Sequence, residues 1–276
     1  MGNTGVALIY DFADNDAATV TASAAHANFP VTNIKKSYPG RVWKEGNNNP
    51  GPKWLKWDFG VSKSANYILL AGCNFAAADP ISAGYPKLFA HTSNLGDTEA
   101  LWNPSLGGTG TSVGQLVHNN GNYLKLRFSA LTSFRWWFLV WKHELVDPMN
   151  AEVGRAVIAT HLQLPYPMDN VWDDSFLSTS TESEAGHEKH FPVGIIRPAL
   201  REAVFDFHKQ KLTNDDRKNL VTMLKSVDRL KPFFVDPHPD DTTVENLAYG
   251  RFLEMPKFDR FNKDDMQTRF VFREVL

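Results

Sequence analysis

The chain has 276 residues, 22% of them charged, with a formal net charge of −2. That balance argues against a general binder of phosphate backbones. The single cysteine, Cys73, excludes an intrachain disulfide and a multi-cysteine zinc site. Hydrophobic residues make up 42% and include 19 Phe and 8 Trp, enough for one large or two medium domains rich in half-buried strands. The first residues lack a basic stretch followed by a long apolar run, so no signal peptide is expected. Position 6 is not Ser or Thr, which leaves little for N-myristoylation. No apolar run approaches the roughly 20 residues of a membrane span.

Taken in order, Val6-Ala-Leu-Ile-Tyr10 reads as a first strand, followed by a turn and a short second strand over residues 18–22. Residues 27–34 are irregular, because Pro30 holds Phe29 extended and Asn33 can fold back on its own backbone. Arg41-Val-Trp-Lys44 is a short extended piece, and residues 47–52 form a Pro/Gly/Asn loop. In Trp54–Gly60 the alternation places Trp54, Lys56 and Asp58 on one face and Leu55, Trp57 and Phe59 on the core face. Residues 66–73 and 85–91 are further strands. The pair Asn120-Gly121 signals a hairpin. Residues 123–128, the aromatic run Phe134–Trp141 and residues 154–162 complete about eight short strands, the pattern of a β-sandwich. Residues 178–186 are small, polar and acidic, and read as an exposed link.

The last segment changes character. Residues 203–208 form a strand, and residues 212–226 form the clearest helix, with Thr213 as N-cap and Asp216 three positions on. Leu220, Met223, Leu224 and Val227 make its apolar stripe. The helix should lie on a sheet carrying Val204, Phe205 or Phe207, and Phe233 or Phe234. Strand-like alternation over residues 268–276 ties the end of the chain into that sheet. The expected fold is mainly β: a discoidin-like or jelly-roll sandwich over 1–165, a linker or exposed loop over 166–192, and a smaller α+β domain with one helix packed on a sheet over 193–276.

Several polar clusters could carry chemistry, each with a plainer structural reading. Asp236-Pro-His-Pro-Asp-Asp241 could hold a divalent metal, but it lacks the EF-hand spacing and reads as a solvated loop. His187 and His190 with Glu184 and Glu188 could ligate zinc only with further ligands. Asp169, Asp173 and Asp174, and Asp14 and Asp16 with Asn15, are weak calcium candidates. Cys73 sits in an apolar strand and reads as a small buried hydrophobe. There is no Gly-x-Ser-x-Gly elbow, no HExxH, and no GK[ST] after Gly107-Gly-Thr-Gly-Thr. No catalytic, cofactor-binding or metal-binding residue is assigned, and no cofactor is expected. Trp43, Trp54, Trp102, Trp136 and Trp137 cannot all be buried by alternation, so some could stack on a sugar or fill a protein pocket.

Residues 27–34, Arg41-Val-Trp43, Trp57-Asp-Phe-Gly60, Leu70–Phe75, Arg135-Trp-Trp-Phe138 and Val153-Gly-Arg155 resemble the discoidin-like, galactose-binding-like sandwich seen in some tailed-phage structural proteins. Residues 201–235 resemble segments of tail-tip and distal-tail proteins. The resemblance implies a non-enzymatic component of a phage tail or tail tip, assembled in a host cytoplasm and located in the virion. Its implied partners are other virion proteins and copies of itself in a homo-oligomeric ring, with a surface glycan as a further partner. Neither a membrane span nor general nucleic-acid binding is implied. The alternatives are a carbohydrate-binding host-attachment module, a head-decoration protein and a surface-polymer hydrolase. A groove lined by exposed Trp and flanked by Asn or Asp would favour the carbohydrate-binding module.

Overall fold

The computed structural model describes residues 5–46, 51–75, 85–118, 123–143, 151–165, 172–177, 181–183, 193–195, 200–206, 212–228, 230–240, 247–260 and 266–275. In chain order the elements are β1 (Ala7–Ile9), α1 (Ala13–Ala17), β2 (Thr19–Ala22), β3 (Trp43–Lys44), β4 (Gly51–Cys73), β5 (Lys87–His91), α2 (Glu99–Trp102), β6 (Thr111–Gln115), β7 (Val117–His118) and β8 (Tyr123–His143). There follow β9 (Glu152–Ala159), β10 (Leu162–Gln163), β11 (Trp172–Leu177), β12 (Thr181–Ser183), β13 (Val193–Ile195), β14 (Leu200–Asp206), α3 (Asn214–Val227), β15 (Phe233–Asp236), β16 (Ala248–Phe252), β17 (Lys257–Arg260) and β18 (Met266–Glu274).

The sandwich is built on one long ribbon. β4 and β8 pair antiparallel from Gly51 opposite His143 to Ala71 opposite Tyr123, with register breaks between Asp58 and Lys63 and between Ala65 and Tyr67. Such breaks bend a ribbon, and Gly60 takes φ 75° at the first of them, open to glycine without strain. The two strands that alternation separates at Gly60 are therefore one bent strand. Each half of the ribbon has its own neighbours. The Trp54–Asp58 half pairs with β2, and the facing part of β8 pairs with β5. The Tyr67–Cys73 half pairs with β9, which pairs with β3. Leu55, Trp57, Leu88, Trp137, Leu139 and Trp141 from the first layer meet Ile68, Leu70, Leu124, Val153, Ala156 and Ile158 from the second in one core. Removing one of the fully buried indoles, such as that of Trp57, would cost about 3–5 kcal/mol.

A second sheet runs in the order β10-β1-β15-β16-β18-β14-β11, with β17 on β18. The first strand of the chain thus belongs to the sheet of its last segment, with Ala7 opposite Asp236 and Ile9 opposite Phe234. Val6 through Ile9 are all 0% exposed. A strand covered on both faces reads as an unbroken apolar run, which is how these residues appear in the sequence. β11 and β12 fall within the stretch expected to be a link. β11 pairs with β14 and β12 with β13, so residues 172–177 and 181–183 are sheet rather than loop.

α3 forms as its sequence dictates. Thr213 Oγ1 accepts the Asp216 N–H at 3.2 Å, and Asp216 Oδ2 accepts the Thr213 N–H at 3.0 Å, a reciprocal cap. Leu220, Met223, Leu224 and Val227 are buried in one core with Phe233, Phe252 and Phe272. That core also takes Tyr67, Leu69, Ala71, Tyr123 and Val157 from the outer face of the second sandwich layer. The protein is mainly β, a jelly-roll-like sandwich followed by a smaller helix-containing region packed on its back.

Candidate functional site

The polar motif at residues 236–241 is anchored in the core at its first residue rather than solvated throughout, although Asp240 is exposed. Asp236 is 1% exposed and lies between the sandwich and the second sheet. Lys125 Nζ is 3.0 Å from both of its carboxylate oxygens and also donates to the His238 carbonyl at 2.9 Å. The Tyr67 hydroxyl donates to Asp236 Oδ2 at 3.2 Å. Burial, and then the Asp236 charge, hold the Tyr67 phenol far above its ordinary pKa. Arg127 pairs with Asp240 nearby. His161 packs edge-on against Tyr67, with ring centroids 5.2 Å apart, and is hydrogen-bonded to Asn66 at 2.6 Å and to Gln163 at 3.1 Å. Desolvation lowers the His161 pKa. Both Asp236 oxygens are taken up within the chain, so the residue acts as a clamp between two sheets. Asp241 lies outside the described residues.

The other polar candidates also serve the fold. Asn15 is buried and brackets β9, its amide donating to the Ala156 carbonyl and accepting the Ile158 N–H, both at 3.1 Å. Asp16 pairs with the fully buried Arg155 at 2.7 Å, and Asp14 with Lys63 at 2.7 Å, so the three do not converge on one point. Cys73 is buried, which raises the pKa of its thiol. Asp173 and Asp174 lie on β11 opposite Val204 and Ala203. Asp169, Glu184, His187, Glu188 and His190 lie outside the described residues. Among the described residues no three His, Cys, Asp or Glu side chains are placed to share a metal ion. In the glycine run, a Cβ at Gly110 would stand 2.3 Å from the Trp102 carbonyl oxygen. Glycine there lets the loop lie flush on α2.

The outer face of the first sandwich layer is different. Trp54, Lys56 and Asp58 on β4 stand opposite Val140, Phe138 and Trp136 on β8, and these stand opposite Lys87, Phe89 and His91 on β5. The loop after β5 covers the middle of this face. Trp102 stacks on Phe138 with centroids 5.0 Å apart and planes 4° apart, and its indole N–H donates to the Gly96 carbonyl at 3.0 Å. Trp43, Trp102 and Trp137 are 0% exposed, whereas Trp54 and Trp136 are only half-buried.

Fixed polar groups surround those two rings. Lys56 Nζ stands 5.5 Å from the Trp54 centroid and 5.6 Å from that of Trp136. It is ion-paired to Asp97 and faces Asn94 Oδ1 at 3.4 Å. Arg135 holds Asp58 with two hydrogen bonds of 2.6 and 2.9 Å, and its guanidinium carbon is 5.1 Å from the Trp136 centroid. That hydrogen bonding keeps the Asp58 carboxyl below the usual carboxylate range. Half-buried indoles beside immobilised donors and acceptors present an apolar surface with a polar rim, which suits a ligand that has one apolar face and many hydroxyls. The sequence places Trp54 and Trp136 among its candidates but does not show that Asn94, Asp97 and Arg135 meet them. A Lys and an Asp alternating with Trp along one strand was the available signal.

No family model and no curated protein matches the chain. Solved structures do. A chitosan-binding module of a chitosanase/glucanase from Paenibacillus sp. IK-5 is 14% identical over 51% of this chain and 93% of its own, with a TM-score of 0.37. The family 32 carbohydrate-binding module of NanJ from C. perfringens, solved with galactose, is 12% identical over 55% of this chain and 98% of its own, with a TM-score of 0.36. A GH29 fucosidase from Ruminococcus gnavus is 13% identical over 52% of this chain but only 25% of its own, with a TM-score of 0.38. These are sugar-binding modules and a glycosidase, not tail proteins. They correct the reading of the chain as a virion component, and with it the expected virion partners, homo-oligomeric ring and virion location.

Proposed function

We propose that the chain is a non-catalytic carbohydrate-binding protein whose ligand rests on Trp54 and Trp136 at the outer face of the sandwich. The observation that carries this reading is the partial exposure of these two indoles beside Lys56, Asp58, Asn94, Asp97 and Arg135, while three other indoles from the same candidate set are fully buried. A pyranose stacks its C–H face on an indole, and its hydroxyls meet the rim. The test is a glycan array followed by calorimetry on the best ligand, with Trp54→Ala and Trp136→Ala. Loss of one stacking ring should weaken binding by up to about tenfold. Silence across the array from folded protein, or unchanged affinity in both variants, refutes the assignment.

A further inference from the structure

The charges in contact with the two rings come as matched pairs. Lys56 is tied to Asp97, and Arg135 grips Asp58 through two hydrogen bonds. Further along, Lys87 lies 4.7 Å from the Tyr85 ring, and the Tyr85 hydroxyl donates to the buried Glu99 carboxylate at 2.7 Å. Lys56 and Arg135, the two cations in contact with the rings, are thus each engaged by a carboxylate, whereas Lys87 rests on the Tyr85 ring. Lys142, opposite Pro52, stands beyond Trp54 and outside the stretch between the two rings. The pairs nearest the rings are also mechanically placed. Lys56 is held between the two indoles, and Arg135 lies against Trp136.

We propose that this surface selects uncharged glycans over acidic ones, because the two cations that touch its rings are already engaged by the chain's own carboxylates. This rests on the glycan-binding reading above. To pair with either cation at the rings, a uronate or sulfate would have to displace Asp97 from Lys56 or Asp58 from Arg135, and would meet the repulsion of the carboxylate it displaced. A neutral sugar meets paired groups of which Asp97 and Arg135 remain open to solvent.

The experiment is calorimetry of the full chain against neutral oligosaccharides and their uronate or sulfated counterparts of equal length, in wild type and in Asp97→Asn. Neutral glycans should bind at least about tenfold more tightly than their acidic counterparts. Freeing Lys56 in Asp97→Asn should narrow that gap about threefold to fivefold, the worth of one exposed ion pair. Acidic glycans binding as well as neutral ones, or a gap unmoved by Asp97→Asn with Asp58→Asn also without effect, overturns the proposal. Silence of both series in folded wild type overturns the glycan-binding reading itself.

Discussion

Lys125→Met is the sharpest probe of how the two sheets are joined. The substitution keeps the length and apolar stem of the side chain but removes the charge facing Asp236. Asp236 then keeps only the Tyr67 hydroxyl at 3.2 Å and the His238 N–H at 3.3 Å, in a site where its side chain is 2% exposed. An uncompensated buried carboxylate costs about 3–5 kcal/mol, a large part of the roughly 5–15 kcal/mol that holds a typical domain together. Adding Asp236→Asn should restore most of that loss, because the remaining pair is uncharged and nearly the same shape. Urea unfolding followed by tryptophan fluorescence reads the single and double variants side by side. A single variant within about 1 kcal/mol of wild type would show that the pair is not buried as described. A double variant that stays as unstable as the single would show that lost packing, not an orphaned charge, sets the cost.

Two further predictions address the junction and the turn beside it. A Cβ at Gly154 would lie 2.2 Å from the Pro39 carbonyl oxygen, and backbone cannot yield there without moving the segment before β3. Gly154→Ala should therefore cost about 1–3 kcal/mol, visible as a fall in thermal midpoint, and an unchanged midpoint would show that residues 39–42 are free to shift. His161 has its folded pKa lowered by burial. The unfolded chain therefore takes up a proton first as pH falls below about 6.5, so the His161 contribution is complete above that value and is lost as pH falls through the folded pKa. The Asp58 contribution is lost only below the carboxylate range, so the two windows separate. Stability measured from pH 8 to 5 should fall less in His161→Gln than in wild type, and parallel profiles would remove His161 from the cause.

The sequence reveals the capped helix and the sandwich because both are written locally. Thr213 and Asp216 are three residues apart, and the inward set Leu55, Trp57 and Phe59 follows the two-residue period of a strand. It conceals the junction because a face that alternates polar looks solvated. Lys125 and Arg127 alternate with Leu124 and Leu126, which reads as a polar outer face, yet that face is covered by the second sheet and Lys125 is 3% exposed. Its partner, Asp236, lies 111 positions away in sequence. A motif rich in Asp, His and Pro is equally compatible with a loop. The membership of β1 in the last sheet is hidden for the same reason, since an apolar run records burial but not the identity of its neighbour.

The position of the candidate site follows from how each face of the sandwich is covered. The second layer has its outer face closed along Tyr67, Leu69 and Val157 by the second sheet. Among the described residues, the first layer is covered by the loop after β5, which reaches across Phe89, Phe138 and Val140 with Trp102 at their centre. One short helix and one turn cover the middle strand and leave the rings toward either end of the ribbon in contact with solvent. Here Lys56, Asp97, Asp58 and Arg135 hold the rings in place without hiding them. Charged residues that position two half-buried indoles, on a sandwich face that the described residues cover only in part, are what ties the glycan-binding proposal to the architecture rather than to the count of tryptophans.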